Sequence, residues 1–379
     1  MKNVLKKSLR PLYELYSSFL TVNKYRKNVL SDISFLNKGL LPVESSLSED
    51  VRESIVERIN KAYKKAIFST TNIPSVYETS GSWQFDKERR EDYYTALEQN
   101  DNERLAYLLK DLFRNNCIKG LIDYGYYGHI RKGNIFKKME FVNSIISDYM
   151  VWEKLVEDTE IKIMEAPPIG NPWGYYLEEM LVLSSSFRHN YYANHIKNLL
   201  WKEKCPVIVE IGCGFGGVGY HLMASGAGCK YIGFDLPEIL PVAQYYLMAA
   251  FPEKKILLMG EIKADEITRD VIDKYDIILM PHFQIRKLAE NSVDALMNSH
   301  SFSEMGYSQV EEYIRQMGRV TKMYFFHDNS IKKTINLGGH EEIVSDEFPV
   351  PEDFRLIYKM ASPWKSGDGR YWQYLYVKS

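Results

Sequence analysis

The stretch Val207-Ile-Val-Glu-Ile-Gly-Cys-Gly-Phe-Gly-Gly217 constrains this chain more than any other. An apolar run of β character ends in an acid, breaks into a glycine-rich turn and leads into a helix-forming segment. Glycines at 212, 214 and 216 let the backbone turn sharply and approach a ligand closely, because no Cβ stands in the way. The following helix would aim its free N–H groups and the positive end of its dipole at that ligand. This order of elements builds a nucleotide-type cofactor site.

Three further runs extend the pattern. Tyr231-Ile-Gly-Phe-Asp235 ends in an acid placed to accept hydrogen bonds from ribose hydroxyls. Lys255-Ile-Leu-Leu-Met-Gly-Glu261 ends in another acid, and Asp276-Ile-Ile-Leu-Met280 runs into Pro281-His282-Phe283. Helix-forming segments at 237–250 and 265–274 separate the runs. The alternation β-α-β-α-β-α-β predicts a parallel sheet covered on both faces, an α/β Rossmann-like fold. Each acid taken alone is equally explained as a strand-end or helix-cap residue.

Gly212, Gly214 and Gly217 also satisfy G-x-G-x-x-G, so two cofactor classes compete. A nicotinamide cofactor carries a pyrophosphate, which needs a helix N-terminus free of negative charge. S-adenosylmethionine carries no phosphate but a cationic sulfonium, an ammonium and a carboxylate. Glu210, two residues before the first glycine, favours the cationic ligand. At this point the residues resemble the class I methyltransferases, whose first motif reads acid-x-Gly-x-Gly-x-Gly. The resemblance assigns Glu210, Gly212, Gly214 and Gly216 to that motif and Asp235 with Leu236 to the ribose. It assigns Glu261 and Ile262 to the handover from the third strand to the adenine pocket, and adds His282 to the cofactor set. It implies a seven-stranded sheet with a closing hairpin, S-adenosylmethionine as cofactor and no resident metal.

At 379 residues the chain exceeds one ordinary domain. Segments between Leu47 and Glu165 read as mainly helical, and Ala166-Pro-Pro-Ile-Gly-Asn-Pro-Trp-Gly174 interrupts them. The expected division is therefore an added helical N-terminal domain over 1–165 and a methyltransferase domain over 166–379. Helices are expected at 175–183 and 187–200, ahead of the first strand. A net charge of −2 argues against a general nucleic-acid binder. The cysteines at 117, 205, 213 and 229 show no paired spacing, which fits a reduced, cytoplasmic setting. No apolar run approaches the roughly 20 residues that span a bilayer. In the first 27 residues, Lys2, Lys6, Lys7, Arg10, Lys24, Arg26 and Lys27 interleave with apolar residues. A basic amphipathic helix of this kind would make peripheral contact with an anionic membrane surface, and a solvated helix packed on the protein explains the pattern equally well.

Beyond the fourth run, Asn291-Ser-Val-Asp-Ala-Leu-Met-Asn-Ser-His-Ser-Phe-Ser-Glu-Met305 concentrates polar groups, and Lys322-Met-Tyr-Phe-Phe-His-Asp-Asn329 is a strand with a polar end. Strand-like runs at 354–358 and 370–377 close the chain. The glycine motif, Asp235-Leu-Pro-Glu238 with Tyr245-Tyr246, and Asn298-Ser-His-Ser-Phe-Ser-Glu-Met305 together resemble the sugar O-methyltransferases of bacterial surface-polysaccharide gene clusters, over residues 165–379. That resemblance implies a sugar, nucleotide-sugar or glycan acceptor. A sugar hydroxyl is a poor nucleophile, so a general base is expected. The candidates on the carboxyl edge are His282, His300, Glu304, His327 and Asp328, of which His300 and His327 are preferred, with Glu304 orienting a base or gripping a hydroxyl; the alternative for each is an ordinary surface or core residue. A divalent cation held by Asp294, His300, Glu304 and Asp328 would be a metal-assisted variant, although no tight spacing demands it. The 28 tyrosines suit sugar recognition, and Trp83 and Trp173 are lid candidates, but such rings also pack half-buried on helices and strands. Another small acceptor, a nicotinamide-dependent oxidoreductase and a non-catalytic scaffold remain as alternatives.

Overall fold

A computed structural model describes residues 13, 16–23, 34–79, 83, 86–122, 127–156, 161–263, 266–333, 335, 343–364 and 369–379. The basic residues of the N-terminus lie outside them. The principal helices are α1 Glu49–Thr70, α2 Glu91–Gln99, α3 Ile135–Leu155, α4 Ser186–Leu199, α5 Gly217–Ala224, α6 Leu240–Ala250 and α7 Tyr307–Val320. The strands are β1 Tyr175–Leu177, β2 Met180–Val182, β3 Val207–Ile211, β4 Lys230–Asp235, β5 Ile256–Leu258, β6 Ile277–Pro281, β7 Val293–Ser299, β8 Thr321–Ser330, β9 Phe354–Ala361 and β10 Tyr371–Lys378.

The chain divides into two compact units, one of residues 1–46 with 110–191 and one of 47–109 with 192–379. This differs from a single cut at residue 165. The reason lies in α1, which packs on α6 of the sheet unit. Arg58 also ties α1 to β5 and the residues after it, by donating to both Glu261 carboxylate oxygens and to the Ile256 carbonyl.

In the first unit, α3 starts at Asn134, whose side chain accepts from the Lys137 N–H at 3.1 Å. Its Phe141, Val142, Ile145, Ile146 and Trp152 are buried. Trp173 is a core residue here rather than a lid: its indole donates to the Phe113 carbonyl at 2.6 Å and its ring lies 5.1 Å from Phe141. Residues 175–183 form the β1–β2 antiparallel hairpin instead of a helix. Glu178, at φ +56, makes the turn between the strands.

In the second unit, the α/β Rossmann-like architecture expected from the sequence is what the structure shows. Among the described residues the sheet has eight strands in the order β5-β6-β4-β3-β7-β8-β10-β9. All pairings from β5 to β8 are parallel, and β10 pairs antiparallel with both β8 and β9. Every residue of β3 is buried, as its continuous apolar run requires of a central parallel strand. On one face, α7 presents Val310, Tyr313, Ile314, Met317 and Val320 to a core shared with Val209, Ile211, Ile278, Leu296 and Phe325. Burying each such aliphatic side chain contributes about 1.5–3 kcal/mol.

Two departures from the sequence expectation matter for the site. The strand beside β4 is β6, and β5 lies beyond it at the sheet edge. The segment read only as a polar cluster contains β7, which pairs with β3. Because β3 has β4 on one side and β7 on the other, the winding reverses there. The crevice at the carboxyl ends of β3, β4 and β7 is thus the topological switch point, where ligands bind in open α/β sheets. No described helix is long and apolar enough to cross a membrane.

Candidate cofactor and acceptor site

The glycine loop is built as its sequence demands. Gly212, Gly214 and Gly216 have φ of +77, +56 and +86. The N–H groups of Gly212 and Cys213 both donate to the Phe234 carbonyl, at 2.8 and 3.1 Å, tying the loop to the end of β4. The three glycines serve different ends. A Cβ at Gly212 would lie 2.3 Å from Ser301 Oγ, and one at Gly216 would lie 2.9 Å from Leu247 Cδ1. A Cβ at Gly214 would meet nothing within 4 Å among the described residues. Gly212 and Gly216 are required by packing, whereas the space over Gly214 can accept a ligand.

Asp235 adjoins the loop at the Gly214 N–H. Its Oδ2 accepts from the Gly214 N–H at 2.7 Å and its Oδ1 from the Leu236 N–H at 2.8 Å. Its surface is partly open, yet burial raises its pKa to about 7, against the lowering effect of these two N–H groups and of Arg90. Glu210 lies beneath the loop, buried, and accepts from the Tyr231 hydroxyl at 2.5 Å. Its charge acts on the site from below, not as a wall of it.

The strand order corrects the assignment of the adenine side. Glu261 follows the outermost strand, where Arg58 pairs with it at 2.5 Å and the Leu258 N–H donates to it at 2.8 Å. It fastens α1 to the sheet. Ile262 packs, half-buried, against the hydrophobic core. The residue that follows the strand beside β4 is His282. Its Nδ1 lies 2.6 Å from the Tyr313 hydroxyl, its ring packs against Tyr77 and Phe283, and burial pushes its pKa down to about 3. It is a buried, neutral ring with one nitrogen engaged by Tyr313.

Near the Asp235–Glu238 turn, Trp83 and residues 86–94 supply a second group of side chains, of which the sequence singled out only Trp83, as a lid candidate. Trp83 donates to Glu304 Oε2 at 2.8 Å. Tyr93 donates to the Glu238 carbonyl at 2.9 Å. Arg90 is 1 % exposed and paired with Asp86, which also accepts from Tyr94 at 2.8 Å. Its guanidinium stands 5.9 Å from the Trp83 ring centroid and 5.5 Å from that of Tyr93.

Glu304 therefore belongs to the Asp235 side, held by Trp83 and raising the Asp235 pKa through its charge. His300 belongs to the other end of the crevice. It is half-buried, adopts φ +68, and donates its backbone N–H to the Asp328 carbonyl at 2.8 Å. Its ring stacks on Tyr371 with centroids 4.5 Å apart. The Asp328 carboxylate below accepts from Tyr192, Ser362 and Gln373 at 2.8, 2.6 and 3.0 Å.

His327 is corrected as a base. It is wholly buried, stacked 4.6 Å from Tyr374 and 5.0 Å from Phe348, and neither ring nitrogen has a hydrogen-bond partner among the described residues. Alternation along β8 turns it to the core face with Phe325, opposite to Asp328. An acceptor could not reach it without unpacking that core. Asp294 likewise leaves any shared cation set, since it sits at the start of β7, bonded to the Val207 N–H at 2.7 Å. Among the described residues no group of three or more His, Cys, Asp or Glu could hold a metal ion.

A buried amide network, also unforeseen, locks the loops together. Asn298 donates to the Ile211 carbonyl at 2.9 Å and to Ser301 Oγ at 2.5 Å, and its carbonyl accepts from Asn329 at 2.8 Å. Asn329 in turn accepts from the Ser303 N–H at 3.3 Å. The ends of β3, β7 and β8 are thereby held in one fixed arrangement.

No protein-family model matches the chain, and no curated protein does. Solved structures with a similar fold include an S-adenosylmethionine-dependent methyltransferase from Aquifex aeolicus, at 12% identity over 49% of this chain and 89% of that one, TM-score 0.30. Magnesium protoporphyrin IX methyltransferase from Synechocystis, with bound S-adenosylhomocysteine, is 12% identical over 61% and 94%, TM-score 0.33. A TehB-like S-adenosylmethionine-dependent methyltransferase from Corynebacterium glutamicum is 15% identical over 51% and 98%, TM-score 0.32. Likenesses this remote carry no assignment of activity.

Proposed function

We propose that this chain is an S-adenosylmethionine-dependent O-methyltransferase whose acceptor is a sugar hydroxyl, on a nucleotide sugar or a glycan of bacterial surface-polysaccharide biosynthesis. The observation that carries the reading is the open space over Gly214 at the switch point, with the Asp235 carboxylate beside it accepting from the Gly214 N–H. Asp235 would accept from ribose hydroxyls, the glycine loop would lie against the amino-acid portion, and His282 would border the base. Glu210 adds negative charge beneath a ligand that carries two cationic groups. Bound there, S-adenosylmethionine supplies an electrophilic methyl group on sulfonium sulfur.

The chain's own task is to place and activate the acceptor. Holding a hydroxyl oxygen near 3 Å from the carbon it attacks, with water excluded, supplies much of the rate. His300 is the group offered for the proton that leaves that hydroxyl. It is half-buried at the crevice edge, its ring orientation is set by Tyr371, and its backbone by Asp328. The flat face of Tyr371 suits the C–H groups of a sugar ring.

The test is methyl transfer to a panel of sugars and nucleotide sugars, read as S-adenosylhomocysteine release. His300→Gln should lower turnover about 10²–10⁴-fold with cofactor affinity unchanged. Turnover unaffected by His300→Gln would remove the base assignment, and no transfer to any sugar alongside transfer to another small acceptor would remove the sugar.

A further inference from the structure

The geometry points to Asn298 as a positioning residue for the base proposed above: its buried amide joins the turn that displays His300 to the end of β3, where the glycine loop begins. This rests on the reading of His300 and deepens it, because it names what holds the imidazole in place relative to the cofactor loop.

Asn298 is wholly buried, and every hydrogen-bonding position of its amide is used. It donates to the Ile211 carbonyl at 2.9 Å and to Ser301 Oγ at 2.5 Å. It accepts from the Phe302 N–H at 3.3 Å and from Asn329 Nδ2 at 2.8 Å. One bond thus reaches β3, one reaches β8, and two grip the two residues that follow His300. A primary amide offers two donors and two acceptor lone pairs, which this set of partners demands. Aspartate at this position would set a carboxylate oxygen against the Ile211 carbonyl.

His300 needs such a frame. Its φ of +68 lies in the left-handed region, which an L side chain enters only at a cost. Residues held there persist where their surroundings over-determine them, and they gather at functional sites. From β8 the Asp328 carbonyl accepts the His300 N–H at 2.8 Å, and the Ser330 N–H donates to Ser303 Oγ at 3.0 Å. The turn also lies on the glycine loop, since a Cβ at Gly212 would come 2.3 Å from Ser301 Oγ. That loop has its own tie, through Gly212 and Cys213 to the Phe234 carbonyl. Loss of Asn298 therefore frees the His300 turn and leaves the cofactor loop in place.

The test is proton NMR of the His300 ring, joined to calorimetry with S-adenosylhomocysteine. The imidazole stacks on Tyr371 with centroids 4.5 Å apart, and a proton held over an aromatic face resonates upfield. The His300 Cε1–H signal is identified by its absence in His300→Gln, and Tyr371→Leu gives its unstacked position. In Asn298→Ala the signal should move at least half of the way to that position, with S-adenosylhomocysteine affinity kept within about twofold. Ser301→Ala removes only one bond of the frame and should move the signal in the same direction; it carries the test if Asn298→Ala does not fold. A signal that stays at the wild-type position in the folded variants overturns the role of Asn298.

The kinetic counterpart is single-turnover transfer from methyl-tritiated S-adenosylmethionine to the acceptor found in the panel above. A misplacement of about 1 Å costs about 10²-fold, so Asn298→Ala should lose about that much. In the His300→Gln background it should cost less than about twofold more, because Asn298 acts through His300. Equal losses in both backgrounds overturn the positioning role. Wild-type turnover in His300→Gln removes the base reading instead, while the NMR comparison still decides whether Asn298 places the ring.

Discussion

Alanine at Gly214 and at Gly212 should damage the protein in opposite ways. Both positions have left-handed backbone, at φ +56 and +77, which costs an L-residue about 1–2 kcal/mol. At Gly214 that is the whole folding cost, since a Cβ there meets nothing within 4 Å among the described residues. At Gly212 the methyl group would also overlap Ser301, 2.3 Å from Oγ and 2.7 Å from Cβ. Ser301 cannot swing away freely, because Asn298 holds its hydroxyl at 2.5 Å. Overpacking adds about 1–3 kcal/mol, for a total of about 2–5. Ligand affinity should follow the reverse order. A methyl group over Gly214 intrudes where the cofactor would lie, and losing one polar contact costs about 1–3 kcal/mol, or about 10–100-fold in affinity. Urea unfolding gives the stabilities and calorimetry with S-adenosylhomocysteine gives the affinities. Gly212→Ala combined with Ser301→Gly should recover the overlap cost while the backbone cost remains. The reasoning is refuted if Gly214→Ala binds like wild type, or if it is destabilised as much as Gly212→Ala.

His327→Phe should leave S-adenosylhomocysteine affinity and methyl transfer within about twofold of wild type and change stability by less than about 1.5 kcal/mol, because a ring of similar shape replaces one with no polar partners; a loss of turnover at unchanged stability would restore His327 as a base. Stability should fall steeply on acidification. His195, His221, His282 and His327 have pKa values lowered by burial to about 4, 3, 3 and 3. Between about pH 4 and 6.5 the unfolded chain therefore holds protons on these imidazoles that the folded chain does not, and stability drops as pH falls through that window. Asp235, raised to about 7, opposes this by binding its proton more tightly in the folded state. Glu238, also raised by burial, opposes it likewise, and the four imidazoles outnumber these two carboxyls, so the net change between pH 7 and pH 5 is a loss of stability. Urea midpoints that do not move between pH 7 and pH 5 would contradict it.

The glycine loop was legible because its information is local. Gly212, Gly214 and Gly216 must be glycine for reasons of backbone geometry, and Asp235 must follow a strand that pairs with β3. Strand order was less legible, because register between distant runs is a tertiary choice. The run ending in Glu261 and the run ending at His282 look alike in sequence, yet only β6 pairs with β4. That single choice moved Glu261 from the adenine pocket to an ion pair with Arg58. His327 misled for a related reason: the sequence shows a polar residue at a strand end, and only the pleat decides which face it takes. Trp83 was legible as a lid candidate, but nothing local in the sequence reveals that it bonds Glu304 or that Tyr93 bonds the Glu238 carbonyl, more than 140 residues away.

The central claim is best tested by titrating the purified protein with S-adenosylhomocysteine and, separately, with NAD. The account predicts micromolar binding of the first, weakening below about pH 7 as Asp235 takes up its proton, and no binding of NAD. Binding of NAD alone would contradict the cofactor assignment and every residue role derived from it.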